Sequence, residues 1–374
     1  MKVLILTSSF ARFPGDATAA HGNALYDLAR ELGEHIEATL LTHAGPGAPE
    51  REQLGGIEVR RIPPERPEAA LHKAILGPDG PRVYRAASAL RQAARELAPN
   101  HDLAHAYWVF PGGWAIRDLK MPRLMTLPGP DIHVFPKIPV LGAMIRRSVR
   151  SMDACVAVDP MGRDILRQLG AKRVEHIPSP IRLADFPVKP LTREPRFVYV
   201  GRLAKEKGVD VLLEALAVAR RSRMDLKLEI VGDGPERSSL SSQVSSLGIA
   251  DAVSFTGPLR RAEVSAAIAK ARVLVLPSRR EGLPSAALEA LAIGRPVVAS
   301  AVGGLPELLG TDKGITVPSE SPGDLAAALL EASTRDWDTA ILRGATEPFS
   351  VERAARAYVE LYSSMLAGDG AHAR

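Results

Sequence analysis

The sequence predicts an α/β protein of two doubly wound domains facing a central cleft, and three observations lead there. Short apolar runs alternate with helix-period patterns along nearly all of the 374 residues. Near-continuous apolar runs between helices are the mark of parallel sheets covered on both faces. The series restarts at Phe197, after a stretch from Phe186 to Pro195 that also holds Pro187 and Pro190. Finally, a chain of this length commonly divides into two domains. The expected division is 1–186 and 187–349, with a segment 350–374 whose helix packs back on the first domain.

In the first half, the apolar runs Val3–Thr7, Ala38–Thr42, Val59–Ile62, Leu103–Ala106, Arg123–Leu127, Ala154–Val158 and Val174–Ile177 predict strands. The spacing of apolar residues predicts helices over 22–33, 83–98, 139–150 and 160–169. In the second half, strands are expected at Arg196–Val200, Lys227–Val231, Val253–Thr256, Val273–Leu276 and Pro296–Ala299. Helices are expected over 207–222, 235–247, 261–270, 284–293, 304–309 and 322–334. The last helix, 350–366, carries Ala354, Ala355, Tyr358, Val359, Leu361 and Tyr362 as its apolar residues. Beyond it the tail AGDGAHAR should fray.

Composition narrows the function classes. A hydrophobic content of 46% and a charged content of 24% describe an ordinary soluble globular protein. No run approaches the roughly 18 apolar residues that a membrane span needs. The start, MKVLILTSSF, has the charge and apolar core of a signal peptide but is too short and lacks a cleavage site. It reads as a buried first strand, and the expected location is cytoplasmic. The single cysteine, Cys155, excludes an internal disulfide and sits in a strand-like apolar setting. Net charge is +5, and residues 1–186 hold most of the excess, with 24 Lys/Arg against 20 Asp/Glu. The densest basic spot is Ile145–Arg150. It fits either a solvated helix face or peripheral contact with anionic lipid or a phosphorylated acceptor. Aromatic residues are only 5% and are not interleaved with the basic ones, so nucleic acid is not an expected partner.

The most informative segment is REGLPSAALEALAIGRPVVAS, from Arg280 to Ser300. Pro284 suits the first position of a short helix and Gly294 the residue just past its end. The helix is apolar on nearly every side, so it is expected to be buried. It nevertheless carries Glu289, and a buried carboxylate needs a hydrogen-bonding partner. A second acid, Glu281, lies in the loop feeding the helix, whose first N–H groups can bind an anion. Two acids beside an anion site suit a ligand that is hydroxylated at one end and phosphorylated at the other, such as a sugar nucleotide. Earlier, Gly201 leads from a strand into Arg202 and Lys207, a pair able to neutralise a diphosphate. Gly232 and Gly234 form a lone Gly-x-Gly after the next strand. It fits close backbone approach to a ring, or equally a tight turn. In the first half, His105, Tyr107 and Trp108 end one strand, and Asp131 and His133 follow another. Asp131 and His133 could position or deprotonate a hydroxyl.

Taken together, GRLAKEKGVDVLLEAL, VGDGP, SRREGLPSAALEALAIGRPVVAS and AVGGLPELL occur in this order in one half. The chain resembles the retaining glycosyltransferases of family four, which have the GT-B fold of two Rossmann-like domains. The resemblance covers nearly the whole chain and is strongest over 197–310. It implies a nucleotide-diphosphate sugar, with uridine the default base, bound by the second domain. It implies an acceptor in the first domain, whether glycan, lipid-linked or small molecule. By residue, it implies diphosphate contacts from Arg202 and Lys207, ribose contacts from Glu289 and sugar contacts from Glu281. Gly282, Leu283, Pro284 and Ser285 would touch sugar and phosphate, and Gly22 would be the phosphate-facing glycine of the first domain. The catalytic set would be Glu281, Arg202, Lys207 and Asp131. His105, Tyr107, Trp108 and His133 would meet the acceptor. No cofactor and no essential metal are implied.

The first domain departs from the family pattern. Pro128 stands in the place of a histidine, Pro130 in that of a small polar residue and Tyr107 in that of a second histidine. Ser179 and Pro180 stand where Asn-Gly is common. Two alternatives stay open on sequence grounds. One is a sugar-nucleotide epimerase or hydrolase on the same fold. The other is a homologue that binds the nucleotide sugar with impaired catalysis.

Overall fold

The structure is a computed structural model that describes residues 1–8, 10, 11, 22–45, 47–63, 79–128 and 139–369. Two compact units emerge: Met1–Pro180 together with Val351–Arg374, and Ile181–Ser350.

The first unit is built on β1 (Lys2–Leu6), β2 (Glu37–His43), β3 (Arg51–Leu54), β4 (Ile57–Ile62), β5 (Leu103–Tyr107), β6 (Arg123–Leu127), β7 (Ala154–Ala157) and β8 (Val174–His176). Their order in the sheet is β3-β4-β2-β1-β5-β6-β7-β8. All neighbouring pairs are parallel except β3–β4, which is antiparallel. The sequence pattern did not predict β3, whose residues REQL are mostly polar. Its signal is the Gly55-Gly56 dipeptide, a two-residue hairpin turn.

Helices cover both faces, which is why the central strands are apolar throughout rather than alternating. One face is closed by α1 (Gly22–Leu32), through Leu25, Leu28, Ala29 and Leu32. The other is closed by α2 (Gly80–Leu97), α3 (Pro139–Ser151) and α4 (Pro160–Gln168), through Leu90, Ile145, Val149 and Leu166. Cys155 lies buried in that second core.

The second unit holds β9 (Arg196–Val200), β10 (Lys227–Val231), β11 (Val253–Gly257), β12 (Val273–Leu276), β13 (Val297–Ser300) and β14 (Gly314–Val317). The sheet order is β11-β10-β9-β12-β13-β14, parallel throughout. Helices α5 (Val209–Arg220), α6 (Arg237–Ser246), α7 (Arg261–Lys270), α8 (Ser285–Ile293), α9 (Leu305–Leu309), α10 (Pro322–Thr334) and α11 (Thr339–Gly344) complete it. Strand β14 and helix α11 are additions to the expected elements. Helix α8 starts at Ser285, with Pro284 extended at the cap, rather than at Pro284 itself. It ends as expected at Gly294, which takes a left-handed φ of 86°.

The boundary between the units falls between Pro180 and Ile181, earlier than the residue 186 expected from the sequence. The reason is packing: Ile181, Leu183 and Phe186 are buried in the core of the second unit. The proline-rich stretch after them is fastened to the same unit. The buried Arg295 donates to the carbonyls of Lys189 and Pro190, both at 2.8 Å. At the other end, α12 (Val351–Asp369) returns to the first unit. It buries Ala355, Tyr358, Leu361 and Tyr362 on the α1 side of the sheet.

Candidate active site

Chain order fixes where a site can form in the second unit. From β9 the chain moves to β10 and β11 on one side, then places β12 on the other side of β9. The loops leaving the carboxyl ends of β9 and β12 therefore diverge, and open α/β sheets bind ligands at such a crevice. The two loops are 201–208 and 277–284. They carry Lys207 and Glu281, far apart in sequence and side by side here. The Lys207 ammonium donates to Glu281 Oε1 at 2.6 Å. The Ser278 hydroxyl donates to the same oxygen at 2.8 Å. Lys207 is 27% exposed and Glu281 10%. Glu281 Oε2 accepts no hydrogen bond among the described residues.

The loops are pinned rather than loose. Arg279 bonds both carboxylate oxygens of Asp210, at 2.9 and 2.8 Å, and Glu320 at 2.9 Å. Its own backbone N–H donates to the Glu206 carbonyl at 2.9 Å, joining one loop to the other. Gly208 adopts φ 65°, and a Cβ there would lie 2.1 Å from the Pro277 carbonyl oxygen. Only glycine permits both the left-handed backbone and the close approach. The Gly304 N–H donates to the Gly282 carbonyl at 2.9 Å, which holds the loop from its far side. Ser278 and Arg279 went unnoticed in the sequence because their roles depend on β9 and β12 being neighbours. Their only local signal is their place just before Glu281.

Helix α8 rises from this loop, and no side chain caps its N-terminus. Ala286, Ala287, Leu288 and Ala290–Ile293 are buried. Ser285 is exposed and Glu289, one turn on, is half-buried, so the two line up on one face. The sequence led us to expect a hydrogen-bonding partner for Glu289, from the protein or from a ligand. The protein provides none: its carboxylate makes no hydrogen bond or ion pair among the described residues. Loss of hydration pushes its pKa up to about 7, with the more distant Arg261 charge pulling the other way.

The remaining expected residues are placed as follows. Gly201 and Gly232 sit at the ends of β9 and β10. A Cβ on Gly232 would lie 1.9 Å from the Gly201 carbonyl oxygen, so contact between two backbones is reason enough for that glycine. The Arg202 side chain is exposed and bonds to nothing among the described residues. Only its carbonyl is engaged, by the Tyr199 hydroxyl at 2.9 Å. Gly22 begins α1 in the first unit. Asp131 and His133 lie outside the described residues.

His105 requires correction. Its ring is fully buried and both nitrogens are taken, one by the Tyr362 hydroxyl at 2.7 Å and one by Thr126 Oγ1 at 2.9 Å. Burial pushes its pKa down to about 3. It is a neutral strut that ties α12 to β5 and β6, not a residue that meets an acceptor. Tyr107 and Trp108 line a pocket in the first unit with Thr126, Pro128, Ser179 and Tyr358. Trp108 has φ 72°, an unusual backbone for a bulky residue. Among the described residues, no group of three or more His, Cys, Asp or Glu side chains is placed to hold a metal ion. No described helix is long and apolar enough to cross a membrane.

Comparison with known proteins agrees with this geometry. Residues 182–340 match the family described as glycosyl transferases group 1, and residues 21–185 match glycosyltransferase family 4. The TuaC protein of Bacillus subtilis (strain 168), provisionally assigned as a teichuronic acid biosynthesis glycosyltransferase, is 30% identical over 310 residues. That match covers 77% of this chain and 73% of the relative. Among solved structures, a sucrose-phosphate synthase from Thermosynechococcus elongatus superimposes with a TM-score of 0.78 at 20% identity. It covers 98% of this chain and 100% of its own. The HepE protein of Anabaena, solved in complex with UDP, gives 0.72 at 20% identity and covers 97% and 100%.

Proposed function

The chain belongs to the glycosyl transferases group 1, with the GT-B fold, and from that premise we propose how this glycosyltransferase works. It takes its sugar from a nucleoside diphosphate sugar, with uridine as the base, and passes it to an acceptor hydroxyl with retention at the anomeric carbon. It needs no metal ion. The observation that carries the proposal is the convergence of Lys207, Glu281 and the uncapped start of α8 at the β9/β12 crevice.

The chemistry follows from charge. As the bond between the anomeric carbon and the phosphate oxygen breaks, negative charge grows on the diphosphate. Lys207, Arg202 and the backbone N–H groups at Ser285 stabilise it as it develops. Lys207 turns from Glu281 toward the phosphate, and the freed Glu281 carboxylate grips hydroxyls of the transferred sugar. Glu289 accepts hydrogen bonds from the ribose, which gives this poorly hydrated carboxylate the partner that the protein does not supply. The acceptor oxygen bonds to the anomeric carbon from the face the diphosphate leaves, and its proton passes to the departing phosphate oxygen. Tyr107 and Trp108, with Asp131 and His133, handle the acceptor in the first unit.

A thermal-shift panel of UDP-, GDP- and ADP-sugars tests the donor, because a ligand that binds the native state raises its melting temperature. The UDP-sugars should give the largest rise. Lys207→Ala should cost about 3 kcal/mol in the transition state, roughly a hundredfold in turnover, with the fold intact. Near-normal turnover in that variant would refute the assignment.

A further inference from the structure

One face of the first unit plays no part in the chemistry above, and its composition is unusual. Helices α2 and α3 lie on the same side of the sheet, and the turn around 108–116 lies between them and touches both. The two helices together hold seven arginines, at 82, 85, 91, 95, 146, 147 and 150, and one acid, Glu96; beside the helices, Asp79 pairs with Arg82, and Asp118 with Arg91 and Arg95. Arg85, Arg146 and Arg147 are exposed and have no acidic partner among the described residues. An aromatic cluster sits among them. Tyr84 is 63% exposed. Its ring lies 6.0 Å from that of Trp114, which lies 5.9 Å from Phe110. The guanidinium groups of Arg91 and Arg117 stack on Trp114 at 4.6 and 5.7 Å.

We propose that this face docks on an anionic lipid bilayer. Unpaired guanidinium groups gain about 1 kcal/mol each near an anionic lipid surface. Tyrosine and tryptophan favour the boundary between headgroups and acyl chains, where one end of the ring is apolar and the other wet. The proposed contact is peripheral and reversible, as charge attraction and a few interfacial rings would make it. Such docking would bring the enzyme to an acceptor that resides at the membrane.

Vesicle co-sedimentation of the full chain tests this independently of catalysis. The protein should pellet with phosphatidylcholine vesicles containing about a third phosphatidylglycerol, not with phosphatidylcholine alone, and should be released at about 0.5 M salt. The combined variant Arg85→Gln, Arg146→Gln, Arg147→Gln should bind on the order of a hundredfold more weakly. Its melting temperature and its shift with UDP-glucose should be unchanged, which separates this proposal from the donor assignment. Tyr84→Ser should weaken binding while leaving the salt dependence as it was. If the triple variant does not fold, Tyr84→Ser and the salt dependence of the wild type decide. Equal binding to both vesicle types, or a triple variant that binds like the wild type, overturns the proposal. So does a soluble polyuronate that binds more tightly than the vesicles and displaces them.

Discussion

In the binding role proposed for it, Glu289 would serve the ligand at the expense of stability. Its carboxyl is ordinary at 4.5 when unfolded and is pushed up to about 7 in the native protein. Between those values the native state keeps a proton that the unfolded state has released. Stability therefore falls as pH climbs from about 4.5 to about 7 and stays lower above that. Glu289→Gln removes the penalty. Without ligand, the variant should melt above wild type at pH 8 and close to it at pH 4. It should also show a smaller shift with UDP-glucose, because a neutral amide offers the ribose hydroxyls one weaker acceptor oxygen where the carboxylate offers two charged ones. Melts across that pH range, with and without UDP-glucose, check both halves. The sequence already marked this acid, since one carboxylate in an all-apolar helix stands out. His105 was misread because every residue of β5 is buried. With no alternation between faces, position near a strand end said nothing about whether the ring looks outward.

At the level of elements, the proposed donor crevice depends on how firmly two loops are held. Gly208 is the tightest point, and Gly208→Ala faces both a left-handed backbone and a carbonyl in the way. The left-handed backbone alone costs about 1–2 kcal/mol. The variant should melt lower, and its KM for the donor should rise because Lys207 is the adjacent residue. Steady-state kinetics beside a melt would show it, and unchanged KM would mean that the loop tolerates the shift. Most strands were legible because parallel, doubly covered strands are written as apolar runs. β3 was not, because an edge strand packs one side only and its residues are polar. β14, GITV, is short and begins with glycine, which hides it among turn residues. The helices of the crevice were legible to within a residue or two. The Lys207–Ser278–Glu281 contact was not, because it is made by sheet order rather than by spacing.

For the whole molecule, the long-range dependence lies in α12. It contributes Val351, Tyr358, Leu361, Tyr362 and Met365 to the core of the first unit. Burying a large apolar side chain gains about 1.5–3 kcal/mol. Together these rival the roughly 5–15 kcal/mol that holds a domain folded. A chain ending at Ser350 should therefore keep the second unit and lose the first. Limited proteolysis should leave a resistant fragment near 181–350 and digest the rest, and equal resistance of residues 1–180 would refute this. The ends of the second unit meet, with Ile181 bridged to Ser350. That unit is thus an insertion whose entrance and exit coincide. During synthesis it emerges complete while the half begun earlier still waits for its last helix. The nascent first unit is then the stretch that a ribosome-bound chaperone has most reason to shield, until α12 leaves the tunnel and releases it.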